Sequence, residues 1–137
     1  MLVASGNVVH NLRTARWHGE STPYPWAESF NDYVKTNLSW KGPAAEHPLV
    51  NYLAHEGGSL SNPTAEHFLP LLYVLGTWDG EEPISIPVEG MEMGSLSMLS
   101  VLIGGVEDSG KTPAGVSAAG ANLIRRKCAD RNATDPG

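Results

Sequence analysis

The chain has 137 residues, 41% of them hydrophobic and 18% charged, with a formal net charge of −6. That suffices for the core of one domain, and it is the wrong sign for a general nucleic-acid binder, which needs a basic face against phosphates. The single cysteine, Cys128, excludes an internal disulfide and a cysteine-based zinc site.

Taken in chain order, Leu2-Val3-Ala4 reads as a short strand ending at the turn signal Ser5-Gly6-Asn7. Residues 8–13, VVHNLR, follow as a loop or short helix. Pro23 to Trp26 opens a helix, because Trp26, Phe30, Tyr33, Val34 and Leu38 recur at helical spacing. Gly42-Pro43 breaks it. A second helix is expected from about Ala44 to His55, with Leu49, Tyr52 and Leu53 on its apolar side and Gly57-Gly58 as its stop. Asn62-Pro63 reads as an N-cap and first-turn proline. The next run, EHFLPLLYVL at 66–75, is apolar nearly all round and predicts a buried helix kinked at Pro70. Residues 84–87 and 96–103 look like strands, so the class is α/β or α+β.

The composition breaks near residue 104. All ten Trp, Tyr and Phe residues lie before position 80, and all five His before position 70. Up to Ile103 there are 4 Lys/Arg against 11 Asp/Glu; from Gly104 there are 5 against 4. The segment 104–137 has little to bury and tends toward disorder, apart from AAGANLIRRKCADR, which can form a short helix. GVEDSGKT at 105–112 fits the phosphate-loop pattern G-x-x-x-x-G-K-[ST]. Pro113, Gly115 and the small residues after them are poor material for the helix that must open at Lys111-Thr112. Glu107 and Asp108 would put negative charge inside an anion cradle. The motif is read as a polar loop.

No run approaches the ~20 apolar residues of a membrane helix, and the start MLVASGNVV lacks the features of a secretory signal. A cytoplasmic location without membrane partners is the expectation. The glycosylation-like Asn37-Leu38-Ser39 and Asn132-Ala133-Thr134 carry no weight without such a signal.

Two histidines stand out. His67 sits in the first turns of the apolar helix beside Glu66. It is either a core residue with a satisfied hydrogen bond or a metal or catalytic group. His10 lies just past a strand end, where open α/β sheets bind ligands, and is a site residue or a turn residue. His18, His47 and His55 lie in polar surroundings and read as surface residues. No close metal spacing such as H-x-x-x-H occurs, and Ser5, Ser95 and Ser97 lack the G-x-S-x-G context of a hydrolase.

ASGNVVHNLR at 4–13, HPLVNYL at 47–53, NPTAEHFLPLLYVLG at 62–76 and EGMEMGSLSMLSV at 89–101 together resemble one family. They are similar to the C-terminal half of bacterial 4,5-DOPA extradiol dioxygenase-like proteins, of the class III extradiol ring-cleaving superfamily. The resemblance runs over residues 1 to about 103. It implies the C-terminal part of a three-layer α/β fold, with a central mixed sheet flanked by helices. It implies a mononuclear Fe(II) or Zn(II) site and O2-dependent opening of a catechol such as DOPA. His10 resembles the active-site histidine of S-G-N-x-x-H-N-L, with acid–base and metal roles, and His67 the metal-site histidine of E-H-x-L-P-L. Arg13 is a candidate for an anionic substrate group, or a surface ion pair. The family's two further site histidines belong to an N-terminal half for which this chain has no counterpart, so the chain is expected to be the product of internal initiation or truncation. Residues 104–137 are expected to be a non-family tail from read-through or a cloning junction. The alternative is a catalytically inactive folded fragment that forms homo-oligomers through open sheet edges.

Overall fold

The computed structural model describes residues 1–19 and 22–105. The expected tail, its GVEDSGKT loop and its short helix lie outside the described residues, save for Gly104 and Gly105. Within Met1–Gly105 the chain forms one unit of contacts.

Helix α1, Pro25–Asn37, is the longest element. Pro25 opens it at a position where its missing N–H costs nothing. Glu28 in the first turn and Lys35 in the last complement the helix dipole. Ala27, Phe30, Asn31 and Val34 form its buried stripe at the spacing a helix requires. Lys35 also bridges Asp32, at 3.0 Å, and Glu89.

The helix expected over 44–55 is instead two 3₁₀ pieces, Ala44–Glu46 and Pro48–Ala54, the second broken at Asn51. Pro48 and Asn51 explain this: proline cannot donate an intrahelical bond, and Asn51 leaves helical geometry at ψ 41°. Gly58 is not a helix stop but the first residue of a short helix, α2, Gly58–Ser61. Asn62 follows as the C-cap of α2 rather than as an N-cap. Helix α3 is confined to Leu69–Leu75, which places Pro70 in its first turn and removes any reason for a kink. Nor is α3 buried all round: Leu75 is buried, but Leu69 and Tyr73 are 39% and 71% exposed.

The strands are short: β1 Ile84–Ser85, β2 Met91–Glu92, β3 Leu96–Ser97 and β4 Leu102–Ile103. β1 pairs antiparallel with β4 (Ile84 opposite Ile103), and β2 with β3 (Met91 opposite Ser97). His10 forms an isolated antiparallel bridge to Leu96. The mixed α/β class holds, carried among the described residues by these two antiparallel ladders. Leu2-Val3-Ala4 is not a strand here. It is exposed, and no other described segment pairs with its backbone.

The core joins Val8, Val9, Phe30, Val34, Leu49, Tyr52, Phe68 and Leu75. Phe30 and Phe68, both fully buried, meet at a tilt with centroids 5.8 Å apart, and the Tyr52 ring lies 4.4 Å from that of Phe68. The core thus clasps the segment before His10 and the residue after His67.

His47 and His55 are not free surface residues. Nδ1 of His47 accepts the Leu49 N–H at 3.1 Å, and Nδ1 of His55 accepts the Gly57 N–H at 3.0 Å. Burial pushes the His47 imidazole below its ordinary 6.5. The unfolded chain therefore binds that proton at a pH where the folded chain refuses it. Stability is full above about pH 6.5 and falls as the pH drops through and below it, with His10 acting in the same direction. Melting temperature measured from pH 8 to pH 5 is expected to decline, and His47→Gln to flatten the decline.

Candidate functional site

His10 and His67 are brought together. Their rings stack with centroids 3.6 Å apart and planes 21° from parallel. Both are half-buried.

The contact is built by backbone and amide clamps. The Asn7 N–H donates to the His67 carbonyl at 2.9 Å. The His10 N–H donates to the Ser61 carbonyl at 2.8 Å. The buried Asn62 side chain donates to the Val8 carbonyl at 2.8 Å, and Asn11 to the Leu60 carbonyl at 2.7 Å. On the other flank, Asn7 donates through its side chain to the Ser97 carbonyl at 2.7 Å. Ser95 Oγ donates to the Asn11 carbonyl at 2.8 Å. Three asparagines thus tie residues 7–11 to α2 on one side and to β3 on the other. An amide suits this position because it donates to a buried carbonyl without carrying a charge into the interior.

Gly6 makes the crossing possible. A Cβ at that position would stand 2.2 Å from the His67 carbonyl oxygen and 3.1 Å from the Pro70 ring. Beside the pair, an apolar cleft of about 210 Å³ is lined by Gly6, Val8, His67, Leu71, Val74 and Leu99, among others.

Burial, and next the neighbouring His67, push the His10 imidazole below its ordinary value, against an opposite pull from Glu66. Positive charge on the stacked His67 ring would repel a cationic His10. The exposed Glu66 carboxyl is held below its ordinary range, chiefly by the Thr64 hydroxyl at 2.6 Å and its own backbone N–H, with the two histidines adding to this. Arg13 is exposed, and its side chain has no partner among the described residues. Its backbone N–H closes a turn onto Asn11 Oδ1 at 3.1 Å.

Imidazole donors suit Fe(II) and Zn(II) alike. The number and orientation of the donors fall short of a complete centre. Among the described residues, no group of three or more His, Cys, Asp or Glu is gathered to hold an ion. Rings stacked face to face also keep their nitrogen lone pairs in two nearly parallel planes, which disfavours convergence on one point. These residues therefore fit as contributors to a metal centre, and one ring must turn before both can share an ion.

The asparagine clamps were not anticipated as part of the site. Their sequence signal is only Asn7, Asn11 and Asn62, each beside a residue of the site or of its supporting backbone.

No protein-family model matches the chain. Over 104 residues, 76% of its length, the chain is 80% identical to the 4,5-DOPA dioxygenase extradiol of Escherichia coli (strain K12). It spans 38% of that relative. Among solved structures it is similar to an uncharacterized protein, JW3007, from Escherichia coli K12, with TM-score 0.69 and 79% identity, covering 71% of this chain and 40% of that one. The resemblance carried by the motifs is borne out by these matches.

Gly6→Ala is expected to destabilise the fold by roughly 1–3 kcal/mol, the usual cost of overpacking. It is also expected to separate the two rings. Urea denaturation measures the first effect, and the ring-proton signals of His10 and His67 in the NMR spectrum measure the second.

Proposed function

We propose that this chain carries part of the active site of a metal-dependent extradiol dioxygenase, which opens the ring of a catechol such as DOPA with O2. The observation that carries this reading is the His10–His67 contact, made by two motifs far apart in sequence. The likeness to a named extradiol dioxygenase supports it.

In this reading His67 holds a single Fe(II) or Zn(II) together with donors beyond those gathered here, and His10 can turn to join it. Iron(II), if held there by His67 and further donors, would supply the redox chemistry O2 requires. The roles of this chain's own residues follow from their placement. His10 takes the phenolic proton at a ring nitrogen and later returns it to the product. The bonds to the main chain at His10 and Val8 hold the backbone of His10 beside His67, so the proton acceptor is near the site before substrate arrives and only its ring need turn. The free guanidinium of Arg13 suits the carboxylate of an amino-acid catechol. The cleft along Val8, Leu71 and Leu99 offers apolar surface beside His67 to a ring-bearing substrate. Both atoms of O2 enter the product as the carbon–carbon bond adjacent to the diol breaks.

The test is metal content per chain, on protein purified without added metal or an affinity tag, followed by O2 uptake with catechol substrates. Weakly held Fe or Zn, below one per chain, is expected, because the donors gathered here fall short of a complete centre. Metal should be lost in His67→Ala. In His10→Ala metal should be retained at reduced affinity while turnover falls by about 10²–10⁴-fold, the range of a lost acid–base group. Metal content unchanged in His67→Ala would sink the assignment.

A second reading has its own observation. Leu2 and Val3 are 56% and 77% exposed, Leu102 is 49% exposed, and no backbone hydrogen bond joins the segment before Gly6 to other described residues. In that reading the chain is a catalytically inactive fragment that pairs with a second copy along this edge, as open edges do. Sedimentation over a range of concentrations is then expected to show dimers or larger species, and Val3→Lys to reduce them. A monomer at all concentrations contradicts it.

A further inference from the structure

A second cleft, of about 250 Å³, shares no lining residue with the histidine site. Its walls include Trp40 and Trp78, with Asp79 and Glu81 on one side and Lys41 on the other. Each indole is fixed by a different device. Trp40 lies against Gly42, where a Cβ would come 2.3 Å from ring carbon Cζ2 and 2.8 Å from Nε1. Any other residue at 42 would push the ring away. Trp78 is pinned by its own N–H, which donates to the Glu82 carbonyl at 2.8 Å. One indole N–H is therefore spent on the backbone, and the other edge is turned toward Gly42. The two rings share the lining of the cleft with charged neighbours.

The charge around the rings points the same way. Asp79 Oδ1 closes a turn by accepting the Glu81 N–H at 2.9 Å, which fixes one carboxylate beside Trp78. Glu81 is exposed. Lys41 lines the same cleft but makes no ion pair with either carboxylate among the described residues, so two negative charges face one positive charge. An anion would meet two carboxylates here, and a purely apolar ligand would have to strip water from them. A cation gains from both the carboxylates and the rings, and Trp is the aromatic side chain with the strongest attraction for one.

We propose that the cleft between Trp40 and Trp78 is a binding site for a small organic cation of the methylated-ammonium class. Methylation matters because it spreads the charge over apolar groups that pack against an indole ring and lose little hydration. The site is independent of the dioxygenase reading and of any metal.

The test is a titration of the full chain with tetramethylammonium chloride against sodium chloride at equal ionic strength, followed by the indole N–H signals in the NMR spectrum. Single Trp variants assign the four indoles. The expected result is a saturable shift of Trp40 and Trp78 with tetramethylammonium alone, while Trp17 and Trp26 stay still. Trp40→Leu is expected to weaken binding about tenfold, as loss of a cation–π partner does. Glu81→Gln, at an exposed position that leaves the fold intact, is expected to weaken it severalfold. Equal responses to the two salts, or shifts spread over all four indoles, would overturn the proposal. So would undiminished binding in Glu81→Gln and Trp40→Leu together.

Discussion

Much in this protein depends on how the backbone of residues 6–11 crosses that of His67. The Asn7 N–H reaches the His67 carbonyl across a gap that admits only a glycine at position 6. From that crossing follow the ring stack, the cleft beside it and the docking of Val8 and Val9 in the core. The apolar core alone could not fix it. Hydrophobic burial is non-directional and would tolerate a sliding register; buried carbonyls that need donors do not. Asn62 and Asn11 on the α2 side, and Asn7 and Ser95 on the β3 side, supply those donors. Packing gathers the elements, and hydrogen bonds set their alignment.

The two clefts use their surroundings in contrasting ways. Around His10 the environment disfavours positive charge, through burial and a neighbouring imidazole. Around Trp40 and Trp78 two carboxylates outnumber the one ammonium of Lys41 and favour it. One small chain therefore holds a site suited to a neutral base and a cleft suited to a cation.

Helix α1 was legible in the sequence because its apolar stripe has one clear period and Pro25 marks its start. The pairing of His10 with His67 was legible only through motif resemblance, since no local spacing joins two residues so far apart. Other features resisted for physical reasons. The 44–55 segment has the apolar spacing of a helix, but Pro48 and the turn at Asn51 divert its backbone into 3₁₀ geometry. Pro70 looked like a kink because the start of α3 was placed too early; with the helix beginning at Leu69, the same proline is an opening residue. His47 and His55 sit among polar neighbours in sequence, yet each folds back to accept an N–H two residues on. Asn62 has the sequence context of an N-cap but serves a carbonyl 54 residues away, and a partner at that range leaves no trace in local pattern.

The asparagine clamps have a consequence for chemical ageing. An asparagine deamidates when the backbone nitrogen of the next residue attacks its side-chain carbonyl, a reaction fastest when that residue is glycine. Here Asn7 precedes Val8, Asn11 precedes Leu12 and Asn62 precedes Pro63. Two of those neighbours are bulky, and the third has no N–H to give up. Asn11 and Asn62 are buried as well, which restricts the backbone rearrangement that ring closure demands. The amides that hold the histidine loop are thus protected against the slow hydrolysis that would turn a neutral clamp into a buried carboxylate.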